Sequence, residues 1–299
     1  MNITIGSRGS DLALWQAHFV KDKLEKLGHD VTIKIIVTKG DRIQDLSFDK
    51  IEGKGFFTKE IEESLLNKEI DLAVHSHKDL ETVNPEGLKI GAVSYRENPT
   101  DQLLMLKSAI DENESLGLKS DAIVGTSSAR RQSQMRRLKP TVELKDLRGN
   151  VPTRINKLRE GQYDAIILAT AGIQRLELDL SDLHCVELDP KQFVPAPAQG
   201  VLGLQIREDD EALQAVMNEL NHPEVAQAIG IERDVLRLLE GGCQLPLGVY
   251  TENKGNNWEI HVSFATAKGE IANVSTYETE DPTTIAEIIV DDLKQGEVN

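Results

Sequence analysis

Residues 122–138 read AIVGTSSARRQSQMRRL. The apolar start predicts a strand over 122–125. The hydroxyls of Thr126, Ser127 and Ser128 then stand where a helix begins. Free backbone N–H groups at such a helix start attract anions, and the hydroxyls add donors. Arg130 and Arg131 fall in the first turn, where positive charge opposes the helix dipole, so their presence calls for an anion. The same grammar continues downstream. A strand over 141–144 leads into DLRGN, where Arg148 ends the segment and Gly149 permits a tight turn. Asn150 caps a helix over 151–159 that carries Arg154, and DAIILA at 164–169 is a further strand.

Working outward, the first third has the same alternation. Strands are predicted over 2–6, 31–38, 71–75 and 88–93, with helices from Ser10 or Asp11 to about Gly28 and over 58–67. Strands alternating with helices predict parallel sheets covered on both faces. Two such units of about a hundred residues each predict two α/β lobes with a cleft between them. The chain then changes character. A strand over 200–207 and helices over 209–220 and 223–239 precede three short strands at 249–251, 258–266 and 273–277 and a helix over 282–294. Sequential strands predict an antiparallel three-stranded sheet in a small α+β domain. The expected domains are 1–95 with 200–218, 99–195, and 222–299. Asn98-Pro99 and the Pro195–Pro197 segment are the expected crossings.

Charge gives the chain an unusual contrast. Its 299 residues carry a formal net charge of −16, yet the window from Gly125 to Glu160 holds ten Lys/Arg against three acids. Such a run is either a solvated helix face or the lining of a polyanion site. Arginine dominates it, and its planar fork matches carboxylate and phosphate oxygens. An acidic chain with 4% aromatics is a poor match to a nucleic-acid binder. No apolar run approaches the length of a membrane span. The start, MNITIGSRGSDLALWQA, lacks the pattern of a secretory leader, and two cysteines without a CxxC fit a reducing compartment, so a cytoplasmic location is expected.

Three further features bear chemistry. Arg8 and Ser10 follow the first strand as Arg130 and Arg131 follow theirs. His75-Ser76-His77-Lys78-Asp79 follows another strand. The HxH pair lacks further ligands, so no metal is expected. Lys78 and Asp79 form either a surface ion pair or an acid/base carboxylate beside a cation. Cys243 sits in LEGGCQLPLG, where Gly241 and Gly242 let another group approach. It is either a small buried hydrophobe or a covalent attachment point. Cys185, in DLHCVEL, reads as structural.

In order along the chain, GSRGSDLALWQA, GKGFFTKE, DLAVHSHKDL, VGTSSARRQSQ, DLRGNVPTR, YDAIILATAGIQRL, PAPAQGVLG and LEGGCQLPLG resemble the porphobilinogen deaminase (hydroxymethylbilane synthase) family from about Ile3 to Tyr250. The resemblance implies two lobes like those of periplasmic binding proteins and a third α+β domain. It implies a transferase of tetrapyrrole (heme) biosynthesis that condenses four porphobilinogen molecules head to tail, releases ammonia, and frees linear hydroxymethylbilane by hydrolysis. The implied cofactor is a dipyrromethane joined by a thioether to Cys243. Asp79 matches the family's catalytic aspartate. Lys78, Asp79, Thr126, Ser127, Ser128, Arg130, Arg131, Arg148 and Gly149 match cofactor contacts. Arg8, Ser10, Arg148, Arg154, Arg175 and Gln199 match substrate contacts, and Lys54 and Phe57 fall in a cover loop. A monomer is implied. The sequence departs from the family's usual residues at His77, Glu81 and Ala198; the last matters if its position needs a positive φ. A two-lobed binding protein without catalysis is the competing class, and it leaves GGC and the aspartate after HSHK unexplained.

Overall fold

The structure, a computed structural model, describes residues 1–39, 58–240 and 245–296. It divides into two compact units, Met1–Arg96 with Val201–Ala226, and Glu97–Gly200 with Gln227–Asn299.

The first unit is built on a five-stranded sheet. Its strands β1 (Asn2–Ser7), β2 (Asp30–Ile35), β3 (Leu72–Ser76) and β4 (Leu88–Val93) are joined by the returning strand β10 (Leu202–Arg207), in the order β2-β1-β3-β10-β4. β1 runs parallel to β2 and β3, whereas β10 is antiparallel to β3 and β4. Helix α1 (Asp11–Lys26) begins at Ser10, whose side chain accepts from the Ala13 N–H, and it buries Ala17, Val20 and Leu24 against Ile3 and Ile5. Helices α2 (Lys59–Leu66) and α6 (Glu211–Leu220) complete the cover.

The second unit repeats the plan. β5 (Asp101–Met105), β6 (Ile123–Gly125), β7 (Glu143–Lys145), β8 (Ala165–Ala169) and β9 (His184–Glu187) lie in the order β7-β6-β8-β5-β9. β6 is parallel to β7 and β8, and β5 is antiparallel to β8 and β9. Both faces are buried: Leu103, Met105 and Ile167 enter one core, Leu104, Ile166 and Leu168 the other. Helices α3 (Ala129–Leu138), α4 (Val151–Arg159) and α5 (Thr170–Arg175) follow β6, β7 and β8.

The sheets are therefore mixed, not parallel as the alternation predicts. In each, one strand runs antiparallel to both of its neighbours: β10 in the first sheet and β5 in the second. For β10 that strand was visible in the sequence; β5 (DQLLM) and β9 (HCVE) were not, because each is short and begins or ends on polar residues with no clean alternation.

The C-terminal part of the second unit is the expected antiparallel sheet, β11 (Leu247–Asn253), β12 (Trp258–Phe264) and β13 (Asn273–Thr279). Val249, Trp258, Ile260 and Val262 pack beneath α7 (Pro223–Leu238) and α8 (Ile285–Gln295). The sheet is also bound to the segment after β9: the Val249 N–H donates to Pro195 O at 3.0 Å. A Cβ at Gly248 would lie 2.5 Å from the Val194 carbonyl oxygen, a backbone atom that cannot step aside. Gly248→Ala should therefore destabilise the protein by about 1–3 kcal/mol in urea unfolding; a change within error would show that this contact relaxes freely.

His75, at the end of β3, is buried, with Nε2 3.1 Å from Gln205 Oε1 on β10. Burial lowers its pKa from 6.5 to about 4, against a smaller raising effect of the Gln205 bond. The unfolded chain thus takes this proton at higher pH than the folded one. Stability from this group is complete above pH 6.5 and is lost as pH falls toward 4, by roughly 3 kcal/mol in all. His75→Gln should flatten the pH dependence of unfolding between pH 6.5 and 4; curves parallel to wild type would refute this.

Candidate functional site

Two sheet edges gather the polar residues singled out in the sequence. In the first unit β1 and β3 are parallel neighbours, so their C-terminal ends lie side by side. β1 delivers Arg8 and Ser10, both half-buried. β3 delivers a single 3₁₀ turn, His77–Asp79, which leaves Lys78 half-buried and Asp79 exposed. The neighbouring Ser76 hydroxyl accepts from Gln16 Nε2 at 2.9 Å, which ties α1 to the root of this turn. His77 points inward; a Cβ at Gly203 of β10 would lie 3.1 Å from its ring. Among the described residues neither His75 nor His77 joins a cluster spaced to hold a metal. The one such cluster is Glu252, Glu259 and His261, on the C-terminal sheet. There the Lys191 ammonium already sits against both carboxylates.

In the second unit the edge is formed by the ends of β6, β7 and β8. Thr126 continues the β6–β7 pairing through its N–H to Lys145 O at 2.8 Å. Ser127 Oγ donates to Leu147 O and accepts from Leu147 N, both at 3.0 Å, and so fastens the turn that presents Arg148. Ser128 caps α3 through the Arg131 N–H. Gly149 has φ +112°, and a Cβ there would stand 2.6 Å from Thr153 Cγ2, so this turn requires glycine. Arg154 Nε donates to Gly149 O at 2.7 Å, which folds its side chain back along the same turn.

The arginines at the start of α3 meet an anion that the protein itself supplies. Both are buried, and an internal carboxylate meets them. Asp101, the first residue of β5 and wholly enclosed, has Oδ2 2.8 Å from Arg130 Nη1 and Oδ1 2.7 Å from Arg131 Nη2. Arg130 Nη1 also donates to Val194 O at 2.8 Å, and Arg131 Nη1 to Ile167 O at 3.0 Å. Complete burial would raise the Asp101 pKa, but the two guanidinium charges and their hydrogen bonds outweigh it and hold the group well below the usual carboxylate range. Gln199, expected at the substrate, is also wholly buried, and its Nε2 donates to Pro99 O at 2.7 Å and to Asp101 Oδ1 at 3.1 Å. It serves this anchor. Arg175 is buried, with Nη2 donating to Gly200 O at 2.7 Å. Asp101 escaped the sequence reading because an isolated Asp after Pro-Thr carries no local signal of its partners thirty residues away.

Ala198 does need a positive φ, +61°, and its N–H donates to Glu232 Oε2 at 2.7 Å. Cys185 lies half-buried in β9, and burial pushes its thiol pKa up, as suits a structural cysteine. Lys54, Phe57 and Cys243 lie outside the described residues.

Comparison with known proteins is decisive for this arrangement. A family profile described as "Porphobilinogen deaminase, dipyromethane cofactor binding domain" matches residues 3–215, and the C-terminal domain profile of the same family matches 226–295. The chain belongs to the porphobilinogen deaminase family. A porphobilinogen deaminase of Nitratiruptor sp. is 46% identical over 258 residues, covering 86% of this chain and 81% of its own length. One from Oceanobacillus iheyensis is 42% identical over 285 residues, covering 95% and 91%. Solved structures with lower similarity include a periplasmic VFT2 domain of Bordetella pertussis BvgS (TM-score 0.44, 13% identity, 77% of this chain and 93% of that one). An ancestral cationic amino acid solute-binding protein gives a TM-score of 0.42 at 16% identity, covering 73% and 88%.

The residues of this porphobilinogen deaminase family member suit the family's dipyrromethane, which bears acidic side chains. Two buried guanidiniums face one carboxylate, so a positive charge remains at the start of α3. Arg131 Nε, buried, has no hydrogen-bond partner in the structure. Both features call for a further anion.

Proposed function

We propose that this protein is a hydroxymethylbilane synthase that carries its dipyrromethane on Cys243 and acts as a cytoplasmic monomer. The observation that supports this most strongly is the match of the cofactor-binding domain across residues 3–215. When bound, the dipyrromethane supplies the pyrrole carbon onto which porphobilinogen units are added.

In this reading the chain's own residues divide the work by chemistry. Cys243, preceded in sequence by two glycines, provides the thiolate for a thioether. Asp79, on a tight turn at the end of β3 and open to solvent, places a negative charge where positive charge develops on a reacting pyrrole. Lys78 beside it orients acidic side chains. Arg130 and Arg131, with Thr126, Ser127, Ser128 and Gly149, shape the cofactor end of the site. Arg8, Arg148, Arg154 and Arg175 take the carboxylates of incoming units, each as a fork that fixes orientation while the chain grows, and Ser10 adds a hydroxyl donor. Gln199 stiffens the base of the arginine set.

Cys243→Ala should yield protein with no covalent pyrrole mass in an intact mass spectrum; an adduct found instead on Cys185 would overturn the assignment. Asp79→Asn should retain the cofactor mass but lose turnover by about a hundredfold or more, read as product formed from porphobilinogen. Turnover near that of wild type would remove Asp79 from the chemistry.

A further inference from the structure

Asp101 is wholly buried at the root of the arginine set, and the family reading gives it no part in the reaction. Its carboxylate stands within ion-pair distance of both Arg130 and Arg131, and its Oδ1 accepts hydrogen bonds from Arg131 and Gln199. All four residues are at least nine-tenths buried. This cluster is not what stability alone would select. A buried ion pair is replaceable by apolar packing at little cost, and one with an unequal count of charges is worse still. Here two guanidiniums share one carboxylate. The surplus charge lies at a helix start whose dipole has the same sign and whose cap position is already satisfied by Ser128. Arg131 Nε is left without an acceptor. An arrangement that costs folding free energy and leaves one cation unanswered is built for an anion that arrives later.

We propose that Asp101 is the positioning residue for the arginine pair: it holds the two guanidiniums in fixed orientation and cancels one of their charges, so that the pair receives a single carboxylate of the dipyrromethane. Gln199 extends this hold to the 198–200 segment. The inference rests on the cofactor reading above. Asp101 touches no ligand itself. Without it the two forks repel, lose their common anchor, and no longer present a defined acceptor for one carboxylate.

The test compares Asp101→Asn, Asp101→Glu and a core control, Leu183→Ala, by intact mass of the folded, purified proteins and by KM and kcat for porphobilinogen. Asp101→Asn should lower the cofactor-bearing fraction at least tenfold. Asp101→Glu, which restores the charge one methylene further out, should recover at least half of that fraction, with a raised KM and a kcat within about twofold of wild type. Leu183→Ala should stay loaded despite its lost stability. The proposal fails if Asp101→Asn is as fully loaded as wild type with unchanged KM. It also fails if Leu183→Ala loses the cofactor to the same degree, or if neither Asp101 variant folds, since Asp101 is then a folding residue only. A wild-type protein without the pyrrole mass overturns the cofactor reading and this proposal with it, whereas a loaded wild type beside a loaded Asp101→Asn overturns this proposal alone.

Discussion

The carboxylate of Asp101 between Arg130 and Arg131 is the interaction on which the second unit's site depends. Two arginines in the first turn of a helix are a local error: the dipole opposes them, and burial strips their hydration. Desolvation pulls the Arg130 pKa down, and the Asp101 charge is what opposes that pull. The carboxylate comes from β5, which is antiparallel to β8 and separated from β6 by it. A parallel strand from the local alternation would have to start at the opposite end of the sheet. The mixed topology thus matters to chemistry as well as architecture, because it brings the beginning of a strand to the edge where the others end.

The arginine run gains a sharper meaning from its partners. Of the ten basic residues between Gly125 and Glu160, Arg130 and Arg131 pair with Asp101, Lys139 with Glu114, Lys145 with Glu143 and Arg159 with Asp182. The Lys145 and Arg159 pairs are exposed and contribute little to stability. The Arg159 pair does lower the local surplus that the sequence displays, because Asp182 lies outside the basic window. The run thus divides by burial: part of it is a paired surface, and part of it is a pair of guanidiniums enclosed against Asp101.

What was legible in the sequence was what is local. The helix starts at Ser10 or Asp11 and after the 126–128 hydroxyls, the N-cap Asn150, the glycine at 149, the apolar runs of β8 and β12 and the C-terminal antiparallel sheet all follow from spacing over a few residues. Leu88–Val93 and Val151–Arg159 agree residue for residue with the expectation. What was hidden is non-local. β5 and β9 take their identity from pairing with β8 and with each other, and DQLLM carries no periodic signal of that. The roles of Asp101 and Gln199 follow from contacts made across about thirty and a hundred residues of sequence. The burial of Gln199 is hidden for the same reason: an amide after Pro-Ala-Pro-Ala gives no sign that it will be fully enclosed.

Ala198 shows how such non-local contacts carry local strain. Its φ of +61° is a conformation that glycine adopts freely and that costs an alanine about 1–2 kcal/mol. The strain is held by a buried carboxylate. Glu232 of α7 accepts the Ala198 N–H at 2.7 Å through one oxygen and the Thr251 N–H of β11 at 2.9 Å through the other. A charged acceptor strengthens both bonds in a buried setting. One side chain therefore ties together the strained turn, the first strand of the C-terminal sheet and helix α7. The same turn positions Gln199, whose amide reaches Asp101. The two buried carboxylates act at either end of one short segment: Glu232 sets its backbone, and Asp101 takes the side chain that this backbone directs.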